Sequence, residues 1–177
     1  MNTTSLMQMQ GQIHEAMIHL AAAQQALGEA LSPLPFTDIQ EPKLIRLTLV
    51  TDGGSRGNPG EGYGSYALFE GEGSEPTAIA SKVFGQDMTN NEAEYEALLW
   101  GLERTHQYQV NWGMIPEIAL TIRIDSALVR GQLQEGWKVN APNLRERIRK
   151  ARELLTNFAS WEIKHIPRVE VEAVLGH

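Results

Sequence analysis

Thr51-Asp52-Gly53-Gly54-Ser55-Arg56-Gly57-Asn58-Pro59-Gly60 closes an apolar run in which Ile45, Leu47 and Leu49 alternate with Arg46 and Thr48. Alternation with period two is the pattern of a half-buried strand, and the glycine cluster ends it. Asp52 therefore sits at a strand end, where backbone lacking side chains lets a ligand come close, and it is a candidate metal ligand. Alone, Asp-Gly reads as a tight turn between strands. Two further acids change that reading.

In Thr89-Asn90-Asn91-Glu92-Ala93-Glu94-Tyr95-Glu96-Ala97-Leu98, glutamates recur at every second position of a helical segment. At about 100° per residue they cannot share a face. Glu92, Glu96 and Glu103 fall on one side. Glu94 falls opposite, with Ala97, Leu98, Gly101 and Thr105, the small and apolar face expected to pack inward. Thr89 and Glu92 have the spacing of a capping box, which gives Glu92 a structural task. An inward carboxylate needs a partner, either a cation or a buried arginine.

Asp125 ends the strongest strand pattern, in which Ile118, Leu120, Ile122 and Ile124 alternate with Ala119, Thr121 and Arg123, and Ser126 opens a helical segment after it. Singly, Asp125 or Ser126 reads as a helix N-cap. Together, Asp52, Glu94 and Asp125 make a carboxylate cluster whose mutual repulsion calls for a hard, oxygen-binding cation such as Mg²⁺, with Mn²⁺ as the alternative. The chain has no cysteine and its five histidines form no zinc-binding pattern.

Asp-Gly-Gly-Ser-x-Gly-Asn-Pro-Gly, Thr-Asn-Asn-x-Ala-Glu-Tyr and Ile-Asp-Ser, in this order and context, resemble the three signature segments of type 1 ribonuclease H. The resemblance runs from about Leu44 to Arg168, and three co-occurring motifs are far more specific than one. It implies an α/β fold with a five-stranded mixed sheet flanked by helices, two divalent metals, and hydrolysis of the RNA strand of an RNA/DNA hybrid. Position by position, Asp52, Glu94 and Asp125 match the metal-binding carboxylates. Gly53, Ser55, Asn58, Asn90 and Asn91 match positions near the hybrid backbone, and Trp137 and Lys138, in Gly136-Trp137-Lys138-Val139-Asn140, match a segment near the DNA strand. His165 matches a loop histidine that assists proton transfer or product release. Asn90 equally suits a helix N-cap, and Trp137 equally suits a core position or a stacking platform.

Such carboxylates can hold two Mg²⁺ about 4 Å apart, one side activating a water and the other stabilising the leaving 3′-oxygen, with no covalent nucleophile. In that scheme Asp52 bridges both ions, Glu94 completes the first and Asp125 orients a water. Small residues and asparagines reaching 2′-hydroxyls in a wide, shallow minor groove would select RNA. One feature departs from the family. Lys164-His165-Ile166-Pro167-Arg168 fits, but the aspartate expected beyond it falls on Leu175, or on Val174 with a one-residue gap. Glu170, Glu172 and His177 lie nearby but do not match its spacing, and the chain stops at His177, before a last helix is expected to form. The alternative to an endoribonuclease is therefore a weak or inactive ribonuclease H-like module that binds hybrids or proteins. An exonuclease on the same scaffold is disfavoured by the Thr-Asn-Asn segment.

With 177 residues and 42% hydrophobic content, the chain can bury one substantial core. The expected division is a helical extension and linker over 1–40 and a catalytic domain over 41–177. Net charge is −7, unlike that of a strongly electrostatic nucleic-acid binder. The imbalance is local: up to Leu120, 5 Lys and Arg face 15 Asp and Glu, whereas beyond it 10 face 7. The later run, Arg145, Arg147, Arg149, Lys150 and Arg152, reads chiefly as a solvated helix face. Only one short helix fits between Asp125 and Trp137, so the chain resembles the compact subgroup without a second, basic helix.

Ser5 to Leu31 reads as a helix stopped by Pro33 and Pro35, with Ile13, Leu20 and Leu27 in heptad register and no Lys or Arg. Docking on its own domain or self-association suits it better than nucleic-acid binding. Tyr63–Phe69 and Ala78–Phe84 read as a hairpin joined through Gly71-Glu72-Gly73-Ser74. Helices are expected from Asn90 to about Tyr108 and near Asn143 to Asn157, with a last strand at Trp161. No glycine-rich phosphate loop is read at Gly53–Gly64, because a strand follows it. The absence of cysteine and of a long apolar run leads to the expectation of a cytoplasmic protein with no membrane partner.

Overall fold

The computed structural model describes residues 3–30, 44–71, 73–110 and 117–176. Two compact units divide it, Met1–Glu41 and Pro42–His177. In the first, a single helix, α1 (Thr3–Ala30), leaves Met17, Ile18, Leu20 and Leu27 exposed. The side chain of Ile13, and Leu31, Pro33 and Pro35, lie outside the described residues. Among the described residues no helix is long and apolar enough to cross a membrane.

The second unit holds β1 (Ile45–Gly57), β2 (Gly60–Glu70), β3 (Ala78–Met88), α2 (Asn90–Val110), β4 (Ile118–Ile124), α3 (Ala127–Leu133), α4 (Pro142–Leu155), β5 (Ser160–His165) and α5 (Arg168–Leu175). The five-stranded sheet runs β3-β2-β1-β4-β5. β1, β2 and β3 pair antiparallel, while β4 lies parallel to both β1 and β5, making the mixed sheet that the motifs imply. Glu72, in the expected turn between β2 and β3, lies outside the described residues.

The strand periodicities explain the layers. In β4 the alternating isoleucines and leucine are buried and their neighbours half-buried. β1 begins with the same alternation but is buried without interruption from Leu49 to Gly53. Leu47, Leu49 and their neighbours join α2, α3 and α4 in the main core, whereas Val50 packs on the other face with Ala67, Ile166, Val171 and Leu175.

The second packing layer corrects one expectation: a last helix does form. Pro167 sets an extended entry (φ −59°, ψ 144°), its carbonyl accepts from the amide of Glu170, and Gly176 closes the helix in the left-handed region (φ 81°). Val171 and Leu175, four apart, bury against Val50 and Ala67. So short a helix is unstable alone, and this tertiary contact is what holds it.

Candidate active site

β1 and β4 bring the two aspartates together. Their parallel register pairs Leu49 with Ile122 and Val50 with Arg123, and continued for two residues it sets Asp52 beside Asp125. Glu94 comes from the first turns of α2. This approach needs Gly53, since a Cβ there would lie 2.2 Å from the carbonyl oxygen of Ala93. Gly53, expected near a hybrid backbone, is thus buried against α2 and has a packing role.

Asp52, Glu94 and Asp125 line one pocket with Thr51, Gly53, Leu98, Ile124, Ser126 and Val129. Asp52 is 7% exposed. The inward face read for α2 is correct: Ala97, Leu98 and Thr105 are fully buried. Ser126 has two tasks, accepting from the amide of Val129 as the N-cap of α3 and hydrogen-bonding the Glu94 carboxylate. Glu94 Oε2 is buried with no hydrogen-bond partner. Burial, followed by the charges of Asp125 and Asp52, pushes the Glu94 carboxyl up to about 7, against the hydrogen bond from Ser126. Among the described residues Glu94 forms no direct salt bridge, and the charge of Arg168 reaches it without an ion-pair contact.

No three His, Asp or Glu among the described residues are gathered into a ready-made metal cage. The donor chemistry nonetheless fits a hard divalent cation, because the buried Glu94 Oε2, without a hydrogen-bond partner, shares its pocket with two more carboxylates.

Around the acids, the sequence-predicted residues separate into two groups. Ser55, Asn58 and Asn90 interlock: the Ser55 amide donates to Asn90 Oδ1 at 2.8 Å and the Asn90 amide to Asn58 Oδ1 at 3.2 Å. Asn90 is not the helix cap. Thr89 Oγ1 accepts from the Glu92 amide and Glu92 Oε2 accepts from the Thr89 amide, completing the capping box. Asn91 and Lys138 are exposed. Trp137 is 52% exposed, and a Cβ on Gly131 would meet its indole at 2.2–2.6 Å. One ring face is therefore laid on α3 and the residue is not part of the buried core. His165 is exposed and its Nε2 lies 3.0 Å from the Asp125 carbonyl oxygen, an acceptor, so Nε2 carries the proton.

Sequence reasoning missed the place of Arg168. Its Nη1 lies 3.7 Å from Asp125 Oδ2 and its Nε bonds Glu172 at 2.8 Å. The signal was present in His-Ile-Pro-Arg, read only as a family match. Of the basic run, Arg147 reaches Glu92 and Glu96 of α2, and Arg152 donates to the Gln132 carbonyl. Arg149 lies between Glu146 and Glu153 on the surface, as a solvated face should.

Residues 51–174 match the family described as reverse transcriptase-like. Ribonuclease HI of Halobacterium salinarum is 36% identical over 154 residues, 86% of this chain and 73% of that protein. The chain belongs to the type 1 ribonuclease H family. The crystal structure of RNase H1 from the same archaeon agrees with a TM-score of 0.64 at 38% identity, over 74% of this chain and 95% of that one. LC11-RNase H1 in complex with RNA/DNA hybrid agrees with a TM-score of 0.65 at 29% identity, over 72% of this chain and 90% of that one. A bifunctional protein of Mycobacterium tuberculosis is 34% identical over 125 residues, 70% of this chain but 32% of that protein.

For a ribonuclease H the departure lies in α5. Leu175, aligned with the last expected aspartate, is buried with Val50 and Ala67, and Val174 is partly buried against the same cluster. Glu170 is bonded to Arg123, Glu172 approaches the acids only through Arg168, and His177 lies outside the described residues.

Proposed function

We propose that the chain is a divalent-metal-dependent endoribonuclease that hydrolyses the RNA strand of RNA/DNA hybrids, with Asp52, Glu94 and Asp125 holding two Mg²⁺ or Mn²⁺. The observation that carries this is the unpartnered, buried Glu94 Oε2 in the pocket shared with Asp52 and Asp125. Divalent ions, when bound, supply Lewis acidity at a phosphodiester and lower the pKa of a water. The rest belongs to the protein's own groups. Asp52, fixed on the central strand, and Asp125, on its parallel neighbour, give a rigid carboxylate pair. Glu94 joins them from α2, with its other oxygen held by Ser126. His165, anchored through Nε2–H on the Asp125 carbonyl, has Nδ1 as its proton-accepting atom.

Strand selection is assigned to the interlocked loop. Because Oδ1 of Asn90 and of Asn58 are both occupied by amides, these side chains have their NH₂ groups left to donate to 2′-hydroxyl or phosphate oxygens. Gly53, Ser55 and Asn91 border the same path. Trp137 offers an open ring face for stacking and Lys138 a neighbouring cation for the DNA strand. Self-association through α1 and a reducing, cytoplasmic setting complete the proposal. They are supported by the heptad spacing of Ile13, Leu20 and Leu27 and by the lack of cysteine.

A second reading, a hybrid-binding module without turnover, is favoured by one observation: an apolar, buried Leu175 where the family's last acid aligns. An end-labelled RNA/DNA hybrid incubated with Mg²⁺ or Mn²⁺, beside single-stranded RNA and double-stranded DNA, separates the two. Internal cuts in the RNA strand of the hybrid alone are expected. Hybrid retention without cuts under either metal supports the module, and equal cutting of single-stranded RNA contradicts both.

A further inference from the structure

We infer that Arg168 is the resident counter-cation of the acid cluster, competing with divalent metal for Asp125 and Asp52. This rests on the reading of Asp52, Glu94 and Asp125 as the metal-holding carboxylates. Arg168 is the first residue of α5, and Pro167 before it fixes how the chain enters the helix. Its guanidinium makes two unequal contacts. The bond from Nε to Glu172 is 2.8 Å, a full charge-assisted hydrogen bond. The approach of Nη1 to Asp125 Oδ2 is 3.7 Å, an electrostatic contact without a hydrogen bond. Asp52 and Asp125 both attract the same guanidinium, and Arg168 in turn attracts Glu94.

Glu172 thus acts as a tether that keeps a positive charge beside the acid cluster without a hydrogen bond to Asp125. A divalent ion entering the pocket meets a like charge at its edge and displaces it toward Glu172. The α5 packing explains why the cluster has a cation at this border. Leu175, where the family places a further acid, is turned into the apolar cluster with Val50 and Ala67. The one charged side chain that α5 sends to Asp125 among the described residues is therefore Arg168.

The test is Mn²⁺ binding to the full chain without nucleic acid, followed by calorimetry and by loss of the free-ion paramagnetic resonance signal. Arg168→Gln removes the charge and is expected to tighten Mn²⁺ binding about three- to tenfold, the scale of one like charge at this separation near the surface. Arg168→Lys keeps the charge and is expected to stay within about twofold of wild type. Arg168 is exposed, and matching thermal unfolding curves show that both variants fold. Unchanged or weaker binding by Arg168→Gln overturns the inference, as does equal tightening by Arg168→Lys or no Mn²⁺ binding by any form. Hybrid cleavage by wild type is measured separately: its absence, with Mn²⁺ binding tightened as stated, contradicts the proposed hydrolysis and leaves the counter-cation role standing.

Discussion

Glu94 is the residue on which the site turns, and its environment sets a pH signature. A carboxyl raised from 4.5 to about 7 by folding is protonated in the native state over a range where the unfolded chain is already ionised. The native state then binds more protons, so stability falls as pH rises from about 4.5 to about 7 and stays reduced above it. In metal-free protein, Glu94→Gln should therefore be neutral at pH 4 and stabilising at pH 8, by up to about 3 kcal/mol. Urea denaturation at the two pH values in the presence of chelator checks this, and a variant less stable at pH 8 would contradict the repulsion. The three acids were legible because helix phase and strand alternation place side chains without knowledge of the tertiary fold. Arg168 was not, because its contact with Asp125 depends on how α5 lies across β1 and β4, which no local pattern encodes. Trp137 was legible only as a choice between two environments. The choice is made by Gly131, six residues away, whose missing side chain gives the indole its seat. Trp137→Ala is expected to weaken hybrid binding by about 1–2 kcal/mol, measured by fluorescence anisotropy in Ca²⁺, and to leave stability nearly unchanged.

The elements themselves were largely readable from period, less so from punctuation, since β1 runs through the glycine cluster to Gly57 with Asp52 inside it, and the exceptions have physical causes. β1 reads as half-buried, yet from Leu49 it is covered on both faces, because α5 packs on the Val50 side. α5 was not expected, since eight residues carry too few hydrogen bonds to declare a helix. Its Val171 and Leu175 show their meaning only against Ala67 and Val50. Gly53 carries a second role that the motif does not reveal: it lines the pocket of the acids, and its backbone is also pressed against Ala93 of α2. Gly53→Ala should push α2 away from β1 and cost about 2 kcal/mol or more, with loss of cleavage following from displacement of Glu94. Denaturant midpoints and cleavage rates measured together check it. A fully stable, fully active variant would show that α2 does not pack this tightly.

At the scale of the whole molecule, the acidic net charge coexists with a site proposed to meet a polyanion. The basic residues of the later half are partly committed to structure, Arg147 to Glu92 and Glu96 and Arg152 to Gln132. Hybrid binding should accordingly rely on a few contacts and show a shallow salt dependence. α1 adds exposed Met17, Ile18, Leu20 and Leu27 without any Lys or Arg. Deleting residues 1–40 is expected to lower the number of chains per particle in sedimentation equilibrium while changing hybrid affinity by less than about twofold. A large loss of affinity with an unchanged number of chains per particle would give α1 a role in substrate binding instead. The division of labour between the sheet-borne acids and everything around them comes down to Asp52. Single-turnover cleavage of an end-labelled RNA/DNA hybrid by wild type and by Asp52→Asn, with saturating Mn²⁺ or Mg²⁺ and equal folding confirmed, tests it most directly. The account predicts internal cuts in the RNA strand by wild type and a rate at least about 100-fold lower for the variant. A variant cutting at close to the wild-type rate would contradict it.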